Sequence, residues 1–375
     1  MINYGKHSIN QSDIDSVVDV LKSDFITQGP KVVEFENDLK KYCNAKYAKV
    51  VSNATAALHI AYLAIGIKKG DIVWTSPNTF VSTANAALYC GAEIDFVDID
   101  PKTYNISVEA LHKKLLNAKL ENKLPKLVVP VHFAGQSCEM KDIWKLSKEF
   151  NFKIIEDASH ALGGEYLDNK VGGCQYSDMA VFSFHPVKMI TTGEGGAILT
   201  NDKKLDKALS LLRTHGITKD ADMFVNNSDG DWYYEQQALG FNYRLSDIQA
   251  ALGISQLRRI DSFVAKRRKI ADYYFNNLDE ELLPYQHPDT SSSWHLFVIQ
   301  TKNRKKLYNH LKNNGVQTQV HYIPVYSQPF YKHEILSSTE RFYERCLSLP
   351  IYFDLSCEEY KRVVKSFERN YRFKR

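Results

Sequence analysis

Short apolar runs alternate with longer segments of helical periodicity through the first half of the chain. This order is typical of α/β folds, in which helices connect the strands of a mostly parallel sheet. The strand-like runs lie at residues 48–51, 72–74, 94–97, 127–131 and 152–156. We therefore predict the α/β fold class with a mostly parallel central sheet, whose parallel strands end at one common edge.

The length of the chain, 375 residues, is large for one domain and favours two. Residues 245–263 predict one long helix that leaves the first domain, and the polar, turn-rich segment 283–293 follows it. We expect a large domain at residues 1–250 and a smaller α+β C-terminal domain at 251–375. Its predicted elements are strands over 294–299 and 316–320, a helix over 305–313 and a C-terminal helix from Cys357.

Charge, hydropathy and cysteine spacing exclude several classes of protein. The formal net charge is only +4, without a long basic run, so we expect no nucleic-acid partner. No apolar stretch approaches the roughly 18 residues that a membrane span needs, so we expect no membrane partner either. The 6 cysteines form no CxxC pair, which predicts reduced thiols, no metal and a cytoplasmic protein.

Two strand ends carry side chains that suit one cofactor. Asp157 follows the apolar run 152–156, and a second run, 179–184, leads into Lys188. Either residue alone is more often a solvated charge or a turn residue. Together, however, a lysine amine for a Schiff base and an aspartate for a pyridine nitrogen are what pyridoxal 5'-phosphate requires. The sequence thus predicts this cofactor, with Lys188 and Asp157 as the catalytic residues.

Further residues could complete such a cofactor site. Segment 52–58 follows a strand and opens an alanine-rich helix, so its free amides and the Thr55 hydroxyl form a phosphate cradle, or an ordinary helix cap. Phe80 could stack on a flat ring or be a buried core aromatic. His160 lies three residues beyond Asp157 and could reach the same ring, or be structural.

The glycine motifs of other enzyme classes are missing from the sequence. There is no GxGxxG after a strand, no GxxxxGK[ST], no GxSxG and no HExxH. The glycines of segment 193–196 allow a tight turn after Lys188, which needs no cofactor to explain it. Dehydrogenase, P-loop, esterase and zinc-protease functions therefore have no support.

Three segments, 156–160, 183–196 and 240–253, resemble the DegT/DnrJ/EryC1/StrS sugar aminotransferase family, and the resemblance spans nearly the whole chain. It implies the type I fold of aminotransferases that depend on pyridoxal phosphate, with the pyridoxamine form as an intermediate. Within the family, segments 212–218, 232–237 and 320–326 most resemble the branch of enzymes that acts in pseudaminic acid biosynthesis. That branch uses L-glutamate to aminate C4 of a UDP-linked 2-acetamido-2,6-dideoxy-4-ketohexose, giving UDP-4-amino-4,6-dideoxy-N-acetyl-beta-L-altrosamine.

The resemblance also implies roles for individual residues. Those that match cofactor contacts are Ala54, Thr55, Phe80, Asp157, His160, Ser183, Lys188 and Asn242. Those that match substrate contacts are Tyr4, Thr27, Gln28, Arg244, His321 and Tyr322. His160 stands where many relatives have glutamine. Asn242 matches a contact from the neighbouring subunit, so the resemblance implies a homodimer with shared active sites.

Three alternatives stay open. The first is a 4-aminotransferase that acts on a dTDP- or GDP-linked 4-keto-6-deoxyhexose. The second is a sugar dehydratase of the same fold, against which Lys188 argues, because such relatives have histidine at that position. The third is a catalytically silent sugar-binding or regulatory protein. The sequence leaves open the sugar, the nucleotide, the stereochemistry of amination, the glycan that receives the product and any assembly beyond a dimer.

Overall fold

The computed structural model describes residues 1–331 and 334–368. The helices are α1 (Gln11–Leu21), α2 (Pro30–Cys43), α3 (Ala54–Ala64), α4 (Ser82–Tyr89), α5 (Val108–Leu120), α6 (Met140–Phe150), α7 (Lys203–Arg213), α8 (Asp247–Leu257), α9 (Ile260–Asn277), α10 (Arg304–Asn313), α11 (Ser337–Arg345) and α12 (Cys357–Glu368). The strands are β1 (Tyr47–Val51), β2 (Ile72–Thr75), β3 (Glu93–Phe96), β4 (Leu127–Val129), β5 (Lys153–Asp157), β6 (Glu165–Tyr166), β7 (Asn169–Lys170), β8 (Met179–Ser183), β9 (Gly196–Thr200), β10 (Ile217–Thr218), β11 (Glu235–Gln236), β12 (Thr290–Ser291), β13 (Phe297–Gln300) and β14 (Cys346–Leu349).

The central sheet has the strand order β1-β9-β8-β5-β4-β2-β3. Strands β8, β5, β4, β2 and β3 are parallel neighbours, while β9 runs antiparallel to β1 and β8. Its strands are apolar and largely buried because helices cover both faces. The predicted α/β class with a mostly parallel sheet is confirmed, and the strands expected at 48–51, 72–74, 94–97, 127–131 and 152–156 are β1 to β5.

Hydrophobic clusters lie on both faces of this sheet. One cluster joins Phe35, Phe182 and Ile254, and another joins Leu58 and Ile198. A further cluster is built mainly from the C-terminal part of the chain, and its members include Ile2, Ile270, Phe297, Leu311 and Val363. The division at residues 250 and 251 stays a prediction. Among the described helices, none combines the length and apolar character needed to cross a membrane.

Two predicted elements are wrong in detail. Residues 316–320 form no strand but make only isolated bridges, Ile2 with Val316 and Gln319 with Ser348. The long helix predicted over 245–263 is broken, since α8 ends at Leu257 and α9 begins at Ile260. Both intervening residues are arginines, which favour helices, so propensity gives no sign of the break.

Candidate active site

The parallel pairing of β5 and β8 brings the predicted lysine and aspartate to one edge of the sheet. Asp157 is the last residue of β5 and lies opposite Val181 of β8, whereas Lys188 follows in the turn after β8. The backbone amide of Lys188 donates to the carbonyl of His185 at 2.9 Å, which closes that turn. Burial lowers the pKa of Lys188 to about 8, although the negative charge of Asp157 acts in the opposite direction. The charge of Asp157 therefore acts on the Lys188 amine in the folded chain.

Three donors fix the carboxylate of Asp157, which is only 4% exposed. The Thr83 hydroxyl donates to its Oδ2 at 2.7 Å. The hydroxyl and the backbone amide of Ser159 donate to its Oδ1 at 2.6 and 3.2 Å. Neither Thr83 nor Ser159 was predicted to have this role. The position of Ser159, two residues after the aspartate, is a local signal for such a contact, whereas nothing in the sequence links Thr83 to Asp157.

Buried neutral histidines surround the lysine. The Nδ1 of His160 accepts from the amide of Ala134 at 3.3 Å, and its Nε2 lies 3.0 Å from the Tyr322 hydroxyl. Burial, together with the charge of Lys188, places the pKa of His160 well below its usual value. The same two causes lower the pKa of His321 to about 3. Burial also raises the pKa of Tyr322, and the charge of Asp157 adds to this.

Aromatic rings line the mouth of this cluster. The ring of Tyr4 lies 5.6 Å from that of His321, between centroids, and the ring of Phe80 lies 6.3 Å from that of Tyr322. Phe80 is 59% exposed. The alternative of a buried core aromatic is therefore wrong for this chain, and the Phe80 ring is open to stack on a flat ligand.

The amino end of α3 lies at the end of β1 and forms the predicted cradle. Asn53 caps α3 by accepting from the Ala56 amide at 2.8 Å, which leaves the first amides, those of Ala54 and Thr55, without an acceptor inside the helix. Ser183 pairs with Gly196. A Cβ at Gly196 would lie 2.8 Å from the amide nitrogen of Ala54, so strand and helix end are in close contact.

These features fit pyridoxal phosphate. Free amides at a helix amino end suit a phosphate, and an exposed aromatic ring suits the pyridine ring. A buried carboxylate, that of Asp157, suits a pyridine nitrogen, and the lowered pKa of Lys188 suits an amine that must react while neutral. Most residues predicted for the cofactor therefore fall into one connected region.

Four other predicted residues form a second group. Thr27 bridges Ser246, and Arg244 bridges Val51 at the end of β1. Thr27, Gln28 and Asn242 are exposed. Within residues 1–331 and 334–368, no hydrogen bond or ring contact joins this second group to the cluster around Lys188. Tyr4, His321 and Tyr322 thus belong to the cluster around the lysine. Arg244 instead pairs with the end of β1 that precedes α3, Thr27 pairs with Ser246, and Asn242 pairs with Thr214, and the binding roles of all these residues stay predictions.

Comparison with known proteins identifies the class. The model of the DegT/DnrJ/EryC1/StrS aminotransferase family matches residues 7–368. The chain belongs to this family, is a sugar aminotransferase and has the fold of the family's solved structures. The predicted resemblance and fold are thereby confirmed.

Individual relatives are similar over nearly their full length. The UDP-4-amino-4,6-dideoxy-N-acetyl-beta-L-altrosamine transaminase of Campylobacter jejuni is 40% identical, over 97% of this chain and 96% of its own. The structure of Helicobacter pylori PseC, an aminotransferase involved in the biosynthesis of pseudoaminic acid, matches with a TM-score of 0.88 at 34% identity and 97% coverage of both chains. The putative sugar aminotransferase Spr1654 of Streptococcus pneumoniae, in its PMP form, matches with a TM-score of 0.87 at 27% identity and 98% coverage of both.

Proposed function

We propose that this protein transfers the amino group of L-glutamate to the C4 ketone of a UDP-2-acetamido-2,6-dideoxy-4-ketohexose. The product is UDP-4-amino-4,6-dideoxy-N-acetyl-beta-L-altrosamine, for pseudaminic acid biosynthesis. The observation that carries the proposed chemistry is the place of both residues at one edge of the sheet, where the charge of the buried Asp157 acts on a lysine of lowered pKa. The proposed substrate is supported by the names of the Campylobacter and Helicobacter relatives. The free thiols of the 6 cysteines support a cytoplasmic location.

The cofactor is proposed to be pyridoxal 5'-phosphate, as the PMP form of a similar structure suggests. When bound, it supplies an electron sink that lets an amino group pass between two substrates. Ala54, Thr55 and Ser183 would hold its phosphate at the amino end of α3, together with Asn242 of the partner subunit in a homodimer. Phe80 would cover one face of the ring.

Lys188 is the proposed base. With a pKa of about 8, about a quarter of its amines are neutral at pH 7.5, against about one in a thousand for a lysine at 10.5. The Nζ atom can therefore accept a proton from the substrate carbon and return it near neutral pH. Because the surrounding histidines are held neutral, they can donate and accept hydrogen bonds without adding positive charge near this amine.

Asp157 is proposed to orient the cofactor through its pyridine nitrogen. Thr83 and Ser159 hold the carboxylate in one orientation, so no reorganisation is needed when the ring enters. Tyr4, His321 and Tyr322 are placed to contact the sugar beside Lys188. Thr27, Gln28 and Arg244, which belong to the second group, are proposed to contact the nucleotide part, farther from Lys188.

A borohydride trapping experiment tests the chemistry. Protein incubated with pyridoxal phosphate and reduced with borohydride should carry the cofactor on the peptide that contains Lys188, as mass spectrometry can show. Lys188→Ala should abolish this label, whereas the control Lys203→Ala, at an exposed lysine of α7, should keep it. A label on another lysine, or no cofactor at saturating pyridoxal phosphate, contradicts the proposal.

A substrate panel tests the specificity. UDP-, dTDP- and GDP-linked 4-keto-6-deoxyhexoses are offered with glutamate, and each product is identified by mass spectrometry and NMR. We expect turnover of the UDP-linked 2-acetamido sugar with the amino group at C4. Turnover of only dTDP- or GDP-linked sugars refutes the proposed substrate but keeps the aminotransferase. No conversion of the bound cofactor by glutamate favours a silent binding protein.

A further inference from the structure

Asp247, the first residue of α8, has contacts far from its own helix. Its side chain is completely buried, at 0% exposure. Its Oδ2 accepts from the amide of Gly29 and its Oδ1 from the amide of Lys31, both at 2.8 Å. The Asp247 amide in turn donates to the carbonyl of Ile26 at 3.1 Å. The carboxylate therefore holds the amides at the start of α2, and the backbone amide of Asp247 holds the segment just before them.

This anchor replaces a missing helix cap. Gly29 is the N-cap residue of α2 and has no side chain to accept from the first amides of the helix. A Cβ at Gly29 would lie 2.5 Å from that of Phe25 and 2.8 Å from Oδ1 of Asp247, so a capping side chain does not fit there. The preceding residue, Gln28, has a φ of 55°. The loop of residues 25–29 thus depends on Asp247 for its conformation.

The anchored loop lies beside the proposed nucleotide end of the site. Thr27 bridges Ser246, two residues after Arg244, which itself bridges the end of β1 just before α3. The start of α8 also contacts the segment after the catalytic lysine, because Gln249 donates to the carbonyl of Glu194 at 2.7 Å. The amino end of α8 therefore joins the loop of residues 25–29 to the segment that carries Lys188.

We infer that Asp247 is a positioning residue for the nucleotide sugar, which it serves by fixing the loop of residues 25–29 against α8. This inference rests on the proposed function and assigns the loop to the second substrate alone. Glutamate is much smaller and reacts beside Lys188, so its half of the reaction does not need the loop. Loss of the anchor should weaken the use of the sugar and leave the use of glutamate intact.

Asp247→Asn tests this division in the enzyme loaded with cofactor. The asparagine side chain has the same size, but one acceptor oxygen is replaced by an NH2 group. This donor then faces a backbone N–H donor, so one hydrogen bond is lost. We expect the KM for the sugar to rise about tenfold or more, which is the loss of about one hydrogen bond. The rate of cofactor conversion by glutamate, followed by absorbance, should stay within about twofold.

Asp13→Asn is the matched control. Asp13 is also a buried carboxylate, at 1% exposure, and it contacts Ser255 and Gln256 at the other end of α8. This variant should lose thermal stability, as Asp247→Asn should, but keep the sugar KM. If both variants slow both half-reactions alike, Asp247 has only a general structural role and the inference is wrong.

Amide hydrogen exchange tests the anchor without any turnover. The amides of Gly29 and Lys31 should exchange about tenfold or more faster in Asp247→Asn than in the wild type and in the Asp13→Asn control. Gly29→Ala disturbs the same contact from the loop side and should show the same rise in sugar KM, which covers the case that Asp247→Asn does not fold.

The outcomes are separable. If the amides exchange at the wild-type rate in both Asp247→Asn and Gly29→Ala, Asp247 does not hold the loop. If they exchange faster but the sugar KM is unchanged, the loop has no role in sugar binding. A wild-type enzyme whose cofactor glutamate does not convert contradicts the proposed function instead, and the exchange data still decide whether Asp247 holds the loop.

Discussion

Replacing Lys188 by methionine should stabilise the cofactor-free protein near neutral pH. The pKa of this amine falls from 10.5 to about 8 because burial disfavours its charged form. Each pKa unit corresponds to about 1.4 kcal/mol, so the folded state is destabilised by about 3 kcal/mol relative to a neutral side chain. Methionine keeps a similar length without the charge, so most of this free energy of unfolding should be regained.

The gain in free energy of unfolding from Lys188→Met should fall as the pH rises. Below pH 8 the amine is charged in both the folded and the unfolded state, so the full cost is present and the gain of Lys188→Met is largest. Above about 10.5 it is neutral in both states and the cost vanishes. The gain should fall to about half near pH 9.

Urea denaturation at pH 7 and at pH 10 measures this difference, at one fixed protein concentration because the stability of the proposed homodimer would depend on it. Lys207→Met, at an exposed lysine of α7, is the control and should change little at either pH. A gain for Lys188→Met that is the same at both pH values, or a loss at pH 7, would show that burial does not lower the pKa of Lys188.

Three further predictions concern the residues around this lysine and the strand β11. Asp157→Asn should lower the rates of both half-reactions at least about a hundredfold, as stopped-flow absorbance can measure, while the cofactor stays bound. Thr83→Val removes one hydrogen bond to this carboxylate, worth about 1.5–3 kcal/mol, and should lower the same rates by at most about a hundredfold with the cofactor still bound. Glu235 accepts from the amides of Val225 and Asn226, which is the main cause of its pKa of about 2. Exchange protection of both amides should persist as the pH falls below 4.5 and be lost through about 2. Glu235→Gln keeps a single acceptor oxygen and should lose the protection of one of the two amides at all pH values.

The strands and the lysine–aspartate pair could be predicted because their signals are local. Each strand of the parallel part of the sheet is a short buried run, and the carboxyl ends of parallel strands must meet at one edge. Asp157 and Lys188 each follow such a run directly, so their meeting is a consequence of strand order. The break between α8 and α9 has no such signal, because Arg258 and Arg259 suit a helix as well as a turn.

The orientation of the predicted side chains depends on residues distant in the sequence. Thr83 lies 74 residues from the carboxylate it holds, and Asp247 lies 218 residues from the Gly29 amide that it accepts from. Helix-capping rules consider only the neighbouring residues of a helix, so they miss a cap from another helix. This separation has a consequence for substrate choice. Because substrate discrimination depends on a few pocket contacts, a residue that shapes the loop of residues 25–29 from another helix can affect the use of the nucleotide sugar while the lysine and the aspartate, and thus the chemistry, stay the same.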